Sequence, residues 1–493
     1  LEFVELSILV QFQEAVPKMK KEKKIKPSKD LPLGFTDRQE EELLIRDSII
    51  SNIKEAMVKY GFKYLETPSF EYSDSIGKFL PDKERPDEGV FSFKDGGQWL
   101  SLRYDLTAPL ARYVAKNYRE ITKPFKRYQL GKVWRNEKPG PGRFREFLQF
   151  DADYIGTRNP LADAELLVLI SEILEKCGLE KKDYIIKISN RKLIDGVLDE
   201  VLKVKTINQK KIILRALDKI NRLGWQEVQK LLGKGRKDAS GDFTKGAGLD
   251  EFQIKALKGW MDLDLKNQEN IEEAKKIKDS PENLAKSSDI KLWREGYSEI
   301  LEVLRILDFF EQKNWELDPT IVRGLDYYTS LVFEVELLFE VKNSKGEAFK
   351  IGSIGGGGRY DDLVKRFDDS LDCPATGISI GLDRLIYAIT QKQSQKLDKQ
   401  NPIVICNFDQ KDMPKYVNMV QILRMSNFNA EIYPGNGVLK AQMKYADKRK
   451  APAVIFYGPD EKKVGKINIK NLKSGEEILI KIEDLPNEIK KII

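Results

Sequence analysis

The chain has 493 residues, 41% of them apolar and 33% charged, too long for one hydrophobic core, so two or three soluble globular domains are expected. Net charge is +7, a mild excess that suits a nucleic-acid partner without requiring one, and no apolar run approaches the roughly 20 residues that span a bilayer. Histidine is absent altogether, which excludes imidazole general-base catalysis and histidine-ligated metals; carboxylates, Arg, Lys, hydroxyls or a substrate's own groups must carry any chemistry.

Residues 1–29 read as a basic appendage. Leu6–Phe12 is too short and too acidic at its flank (Glu2, Glu5) for a signal peptide. Lys18–Lys29 holds seven lysines in a core-poor stretch that is expected to be disordered. Met19 precedes that run and is a candidate start, with residues 1–18 an upstream extension. From Asp37 to Lys59 the pattern is helical, with Leu44, Ile45, Ile49, Ile53, Ala56 and Met57 on one face, and Gly61 ends it. Short apolar segments follow as strands: Phe62–Leu65, Val90–Phe93, Trp99–Arg103, Phe125–Trp134 and Phe144–Ile155. Ala162–Lys176 reads as a helix and Tyr184–Ser189 as a strand. Residues 196–316 turn rich in Lys, Glu, Leu and Ile and read as a helical insertion, with a loop at Gly233–Gly248. Strand signals resume at Ile321 and run to Phe339, and helix Leu382–Gln391 closes the large domain (30–395).

Gln391–Gln400 is a polar linker. Beyond it strand Ile403–Phe408, helix Met413–Asn427, strand Ala430–Tyr433, helix Val438–Lys450 and strand Ala453–Tyr457 spell a small α/β domain (396–493). Fourteen Lys and two Arg face eleven acidic residues over 401–493, so five of the seven excess charges sit in the last fifth of the chain. Cys177, Cys373 and Cys406 are too scattered for a disulfide framework or a zinc spacing, which favours a reducing, cytosolic compartment and leaves no metal site of His or Cys.

Four segments bear chemistry-capable residues. In 128–156, YQLGKVWRNEKPGPGRFREFLQFDADYIG, a strand carrying Arg135 turns through a glycine–proline loop into a second strand. Period 2 then aligns Arg143, Arg145, Phe147, Gln149, Asp151 and Asp153. Such a face can bind phosphates with arginine, stack a base on Phe147 and read a polar ligand with Gln149 and Asp153. A solvated, salt-bridged hairpin explains it equally well. In 321–336, IVRGLDYYTSLVFEVE, Arg323 precedes a turn and two tyrosines; a structural strand suffices for it. In 352–364, GSIGGGGRYDDLV, consecutive glycines allow close backbone approach or simply a turn, and neither a P-loop nor a dinucleotide fingerprint is present. In 375–385, ATGISIGLDRL, Arg384 lies in the first turn of a helix, a position suited to anions, although an ordinary strand–turn–helix reads the same.

The order of these segments is more specific than any one of them. ETPSFEYS at 66–73, the arginine hairpin and GISIGLDRL resemble the three ordered motifs of class II aminoacyl-tRNA synthetases. LRYDLT at 102–107, RGLDYYT at 323–329 and GGRYDDLV at 357–364 resemble signatures of the histidyl-tRNA synthetase family, the first in its eukaryote-type form. The resemblance covers nearly all of 30–493. It implies an α+β fold: an antiparallel sheet flanked by helices, a helical insertion over the tRNA acceptor stem, and a C-terminal α/β anticodon-binding domain. It also implies a cytoplasmic homodimer formed through the first motif, with Pro68 its proline, acting on L-histidine, ATP with Mg²⁺, and tRNA(His).

By position, the resemblance makes Arg135 and Arg323 the catalytic arginines, both also touching histidine. Glu137, Arg143, Phe147 and Arg384 join Arg135 in ATP binding. Asp105, Thr107 and Gln149 contact the histidine ammonium and carboxylate; Asp153 and Tyr328 contact the two imidazole nitrogens, and Tyr327 also binds histidine. Lys440, Lys444, Lys448 and Arg449 form an RNA face, or else a solvated helix face. No segment remains for an editing domain. The alternative is a regulatory relative that binds histidine to control a biosynthetic enzyme, although such relatives lack the C-terminal domain and the catalytic arginines. With no imidazole in the chain, activation near neutral pH is expected to titrate only with the substrate's own ring, pKa about 6.5.

Overall fold

A computed structural model describes residues 28–76, 89–140, 142–237, 241, 243–262, 291–321, 328–343, 345–392, 401–435 and 437–492. The chain divides into two compact units, Leu1–Ser394 and Gln395–Ile493. The appendage up to residue 27, the linker residues 393–400, Arg323 and Tyr327 lie outside the described residues.

In the first unit, helix α1 (Glu40–Lys59) is amphipathic as expected. Ile49, Ile53, Ala56 and Met57 are buried, but Leu44 is exposed, because the buried stripe begins one turn later. Strands β1 (Lys63–Tyr64), β2 (Phe70–Tyr72), β3 (Ser92–Asp95) and β4 (Gln98–Leu102) precede helix α2 (Thr107–Lys116). Then come β5 (Phe125–Trp134), β6 (Glu146–Ile155), helix α3 (Pro160–Lys176) and β7 (Tyr184–Asn190). Helices α4 (Arg191–Gly196), α5 (Ile207–Leu217) and α6 (Trp225–Leu232) follow, then β8 (Gly235–Lys237), β9 (Phe243–Lys245), α7 (Glu251–Met261) and α8 (Lys291–Phe309). The unit closes with β10 (Trp315–Leu317), β11 (Leu331–Leu337), β12 (Glu340–Lys342), β13 (Ala348–Lys350), β14 (Ser353–Arg359), β15 (Ala375–Gly381) and helix α9 (Leu382–Lys392).

Eight of these strands form one sheet in the order β1-β5-β6-β15-β14-β11-β7-β10. Its interior pairings are antiparallel; only the outermost pairs, β1 with β5 and β10 with β7, are parallel. Even-numbered residues of β6 (Phe150, Ala152, Tyr154) enter the core shared with α1, α3 and α9. The odd-numbered Gln149, Asp151 and Asp153 are also buried, on the opposite face. Polar groups buried like that must be hydrogen-bonded or kept for a ligand. The glycine run lies in β14, between β15 and β11. A Cβ on Gly357 would stand 2.0 Å from the backbone oxygen of Gly377, so close strand packing is what requires glycine there.

The described residues of 196–316 are mainly helical, but they differ from expectation at two places. The glycine-bounded loop at 233–248 contains the antiparallel pair β8–β9. The end of the stretch belongs to the core: α8 packs on α3 and α4, and β10 is an edge strand of the main sheet. Three residues are too few for strand periodicity to register in a sequence.

The second unit has a five-stranded sheet, β17-β16-β18-β19-β20, from β16 (Ile403–Ile405), β17 (Ala430–Ile432), β18 (Ala453–Phe456), β19 (Ile467–Asn471) and β20 (Glu477–Ile480). The first three strands are parallel and the last two add antiparallel. Helices α10 (Met413–Met425), α11 (Leu439–Lys448) and α12 (Leu485–Ile492) complete it. α10 and α12 bury Tyr416, Met419, Leu423, Leu485 and Ile489 in its core.

Candidate active site

The polar face of β6 opens into a cavity of about 570 Å³. β6 contributes Phe147, Gln149 and Asp153; the turn into α2 contributes Tyr104, Asp105 and Thr107; the β5–β6 connection contributes Arg135, Glu137 and Arg143. Gly377 and Ser379 of β15, Arg384 of α9, and Tyr328 and Tyr360 complete the wall. The register explains the convergence: Arg127 on β5, Asp153 on β6 and Gly377 on β15 lie in one row across the sheet, and Gln129, Asp151 and Ser379 in the next.

Arg135 stands between two aromatic faces, its guanidinium carbon 4.4 Å from the Tyr104 ring centroid and 5.1 Å from that of Phe147. Its Nε donates to the Tyr104 carbonyl at 3.3 Å and its Nη2 to Gln149 Oε1 at 3.5 Å. A cation so flanked is fixed with no ion-pair partner among the described residues to quench its charge. The Tyr104 hydroxyl donates to Glu137 Oε1 at 2.9 Å, and burial pushes that phenol up to about 12. Arg143 Nε lies 3.7 Å from the other Glu137 oxygen. Arg384 Nη1 donates to the Ser353 carbonyl at 2.7 Å.

Beneath these lie three carboxyls. Asp105 Oδ1 accepts from the Ala108 backbone N–H at 2.9 Å, at the start of α2, and burial raises its pKa against that bond and Arg135. Asp151 Oδ1 accepts from Gln149 Nε2 at 2.8 Å and its Oδ2 from Thr107 Oγ1 at 3.3 Å. Asp153 Oδ1 accepts from the Tyr360 hydroxyl at 2.5 Å, and its Oδ2 lies 3.2 Å from Nη1 of the fully buried Arg127. That ion pair is close but misaligned: neither atom has a hydrogen-bond partner among the described residues. Burial pushes both carboxyls up, Asp151 to about 7 and Asp153 to about 6. The Asp153 charge adds to the rise at Asp151, while Arg127 opposes both. The expectation that only the substrate titrates near neutrality is therefore corrected. The chain lacks imidazoles, but buried carboxyls take their pH range.

Asp105, Thr107, Arg135, Glu137, Arg143, Phe147, Gln149, Asp153, Tyr328 and Arg384 thus share one cavity. Arg145 does not line it. β6 begins only at Glu146, and the Arg145 Nε is drawn back to the Glu137 carbonyl at 3.1 Å while its backbone N–H donates to Gly34 at 2.8 Å. Pro68 lies elsewhere, under Arg103, whose Nη1 donates to the Thr67 carbonyl at 2.6 Å. Lys440, Lys444, Lys448 and Arg449 are exposed in and just after α11 of the second unit, Arg449 pairing with Glu431 at 3.1 Å. Sequence reasoning missed Arg127, Asp151, Tyr104 and Tyr360. Tyr104 and Tyr360 stand inside motifs already singled out, and Asp151 lies in the period-2 row, but only strand pairing reveals Arg127. Arg215 and Asp218, at the end of α5, also reach the cavity wall.

A family model described as histidyl-tRNA synthetase matches residues 34–385, and one described as anticodon binding domain matches 402–492. The chain is 44% identical over 489 residues to a histidine–tRNA ligase of Rhodopseudomonas palustris (strain TIE-1), covering 95% of this chain and 94% of that protein. It is 45% identical over 465 residues to one of Brucella suis biovar 1 (strain 1330), covering 92% and 90%. A solved structure of histidyl-tRNA synthetase from Nostoc sp. PCC 7120 superposes with a TM-score of 0.69 at 26% identity, covering 95% of this chain and 100% of that one.

Proposed function

The chain belongs to the histidyl-tRNA synthetase family, and on that premise we propose that the cavity activates L-histidine with ATP and passes the histidyl group to the 3′ end of tRNA(His). The observation that carries the reading is the pairing of two unlike features in one cavity. An aromatic-clamped arginine, Arg135, and a buried carboxyl, Asp153, line it together. The first suits a phosphoryl group and the second a neutral imidazole N–H.

In the first step a histidine carboxylate oxygen bonds to the α-phosphorus while the bond to the bridging oxygen breaks and pyrophosphate leaves. A carboxylate is already a nucleophile at neutral pH, so positioning and charge neutralisation suffice. We assign that neutralisation to Arg135 and, from the RGLDYYT motif, Arg323. Glu137 and Phe147 take the adenine, and Arg143 and Arg384 the outer phosphates. Asp105, Thr107 and Gln149 hold the ammonium and carboxylate of histidine. Asp153, with Tyr327 and Tyr328, holds the ring. Mg²⁺ bound to ATP would add positive charge to the phosphates that Arg143 and Arg384 would hold. In the second step a 3′-terminal ribose hydroxyl attacks the carbonyl carbon, its proton passes to the phosphate oxygen of the adenylate, and AMP leaves.

Phe70, Tyr72 and Phe93 are each 42–53% exposed on one face of the three-stranded sheet β2-β4-β3, an apolar face that supports self-association as a homodimer. The residue 396–493 domain binds the anticodon with the exposed cations of α11. No helix among the described residues is long and apolar enough to cross a membrane, and we place the enzyme in the cytoplasm. The regulatory reading is disfavoured because Arg135 and Arg384 remain in the cavity and residues 402–492 match an anticodon-binding model. The deciding experiment is aminoacylation. Full-length protein, ATP and labelled histidine should esterify tRNA(His), whereas histidine binding with no ester formed would return the regulatory reading.

A further inference from the structure

Asp151 is among the buried groups that the catalytic roles above leave unused. It is 1% exposed, lies one row from Asp153, and does not line the cavity. Its two oxygens are occupied from the cavity side by Gln149 Nε2 at 2.8 Å and Thr107 Oγ1 at 3.3 Å. A primary amide has two unlike ends, a donating NH₂ and an accepting oxygen, and which end faces a ligand is set by what binds the other end. Asp151 Oδ1 accepts the NH₂. The oxygen of Gln149 is thereby turned toward the cavity, where Arg135 Nη2 approaches it at 3.5 Å.

We propose that Asp151 is a positioning residue for amino-acid recognition: by accepting from Gln149 Nε2 it fixes Gln149 with Oε1 facing the cavity, as an acceptor for the substrate's α-ammonium. This rests on the histidine reading of the same cavity. Without Asp151, the Gln149 amide is free to rotate and present its NH₂ to the ammonium, replacing attraction by repulsion. The carboxyl need not be ionised, because a single acceptor oxygen aimed at Gln149 is enough.

Two consequences follow. Removing the acceptor selectively weakens ligands that carry an α-ammonium, and an isosteric amide that keeps one acceptor oxygen rescues them. A residue that merely supported the sheet would weaken all ligands alike. Calorimetric titration of the full-length protein with L-histidine and with imidazolepropionate, which lacks the ammonium, separates the cases. In Asp151→Leu the preference for histidine over imidazolepropionate should fall about tenfold or more, the size of one charge-assisted hydrogen bond. In Asp151→Asn it should stay within about threefold of wild type, as expected if only the acceptor matters. Gln149→Met should lose the same preference, and adding Asp151→Leu to it should cost no more, since the second residue acts through the first. That double variant removes both hydrogen-bonding partners together, so it carries the test even if Asp151→Leu alone does not fold. Equal weakening of both ligands, failure of the Asn variant to rescue, or a further loss in the double variant would overturn the assignment. A wild-type protein that does not bind histidine removes the histidine reading and this proposal with it. Binding by wild type with preference retained in Asp151→Leu removes this proposal alone.

Discussion

Gly377→Ala isolates the ring-recognition end of the site with a single methyl group. Gly377 is not among the residues with positive φ, so alanine meets no backbone strain and only the contacts decide. The new Cβ would stand 2.1 Å from Asp153 Oδ1, 3.0 Å from its Cγ and 3.2 Å from the Ala152 carbonyl. β15 cannot withdraw, because it is hydrogen-bonded to β6 on one side and β14 on the other. The Asp153 side chain must therefore rotate, abandoning the Tyr360 hydroxyl and its approach to Arg127. Loss of a buried hydrogen bond costs about 1–3 kcal/mol, so the KM for histidine in ATP–pyrophosphate exchange should rise about 10- to 100-fold. The KM for ATP should hardly move, because Arg135, Phe147 and Arg384 are untouched. Gly357→Ala provides the contrast: its Cβ would meet a backbone oxygen at 2.0 Å, which no side-chain rotation relieves, and the protein should fold poorly. An unchanged histidine KM in folded Gly377→Ala would refute the placement of the ring beside Asp153.

Arg135→Ala should lower kcat for activation about 10²- to 10³-fold, the usual loss of one transition-state charge, with little change in thermal midpoint; normal exchange would remove it from catalysis. Burial raises the pKa of Asp151 and Asp153 above the ordinary carboxylate value of 3.8, so between about pH 4 and pH 7 the native state holds protons that the unfolded chain releases. Stability from this pair is therefore lost as pH rises through that window. The thermal midpoint of Asp151→Asn should fall less over it than that of wild type, and parallel curves would contradict the shift. Deleting 396–493 should spare histidine activation but severely reduce tRNA charging, and charging by the intact enzyme should weaken with salt; undiminished charging by the truncated protein would sink the anticodon-binding role.

The sequence revealed the order of the chemistry better than its depth. The β5–β6 hairpin and its polar row were legible, because period 2 survives over ten residues, and Phe147, Gln149 and Asp153 do share the cavity. Arg145 continued that row on paper but falls before the strand, where the chain bends to meet Gly34. The carboxyl cluster was not legible. Asp151 and Asp153 become unusual because the protein closes over both, an effect that Arg127, brought opposite Asp153 from β5, only partly offsets. The four-glycine run read equally as a loop, and only the 2.0 Å approach to Gly377 shows why side chains are forbidden there. β10 escaped notice because three residues carry no period, although their place at the sheet edge ends the helical stretch.

The most direct test of the account is ATP–pyrophosphate exchange by the full-length protein with each of the twenty amino acids in turn. A cavity that neutralises an α-phosphate with Arg135 and pairs an imidazole N–H with Asp153 predicts exchange with histidine alone. A non-imidazole side chain offers that carboxyl no ring N–H, at about 1–3 kcal/mol per lost partner. Exchange supported equally by another amino acid, or by none while histidine still binds, would contradict it.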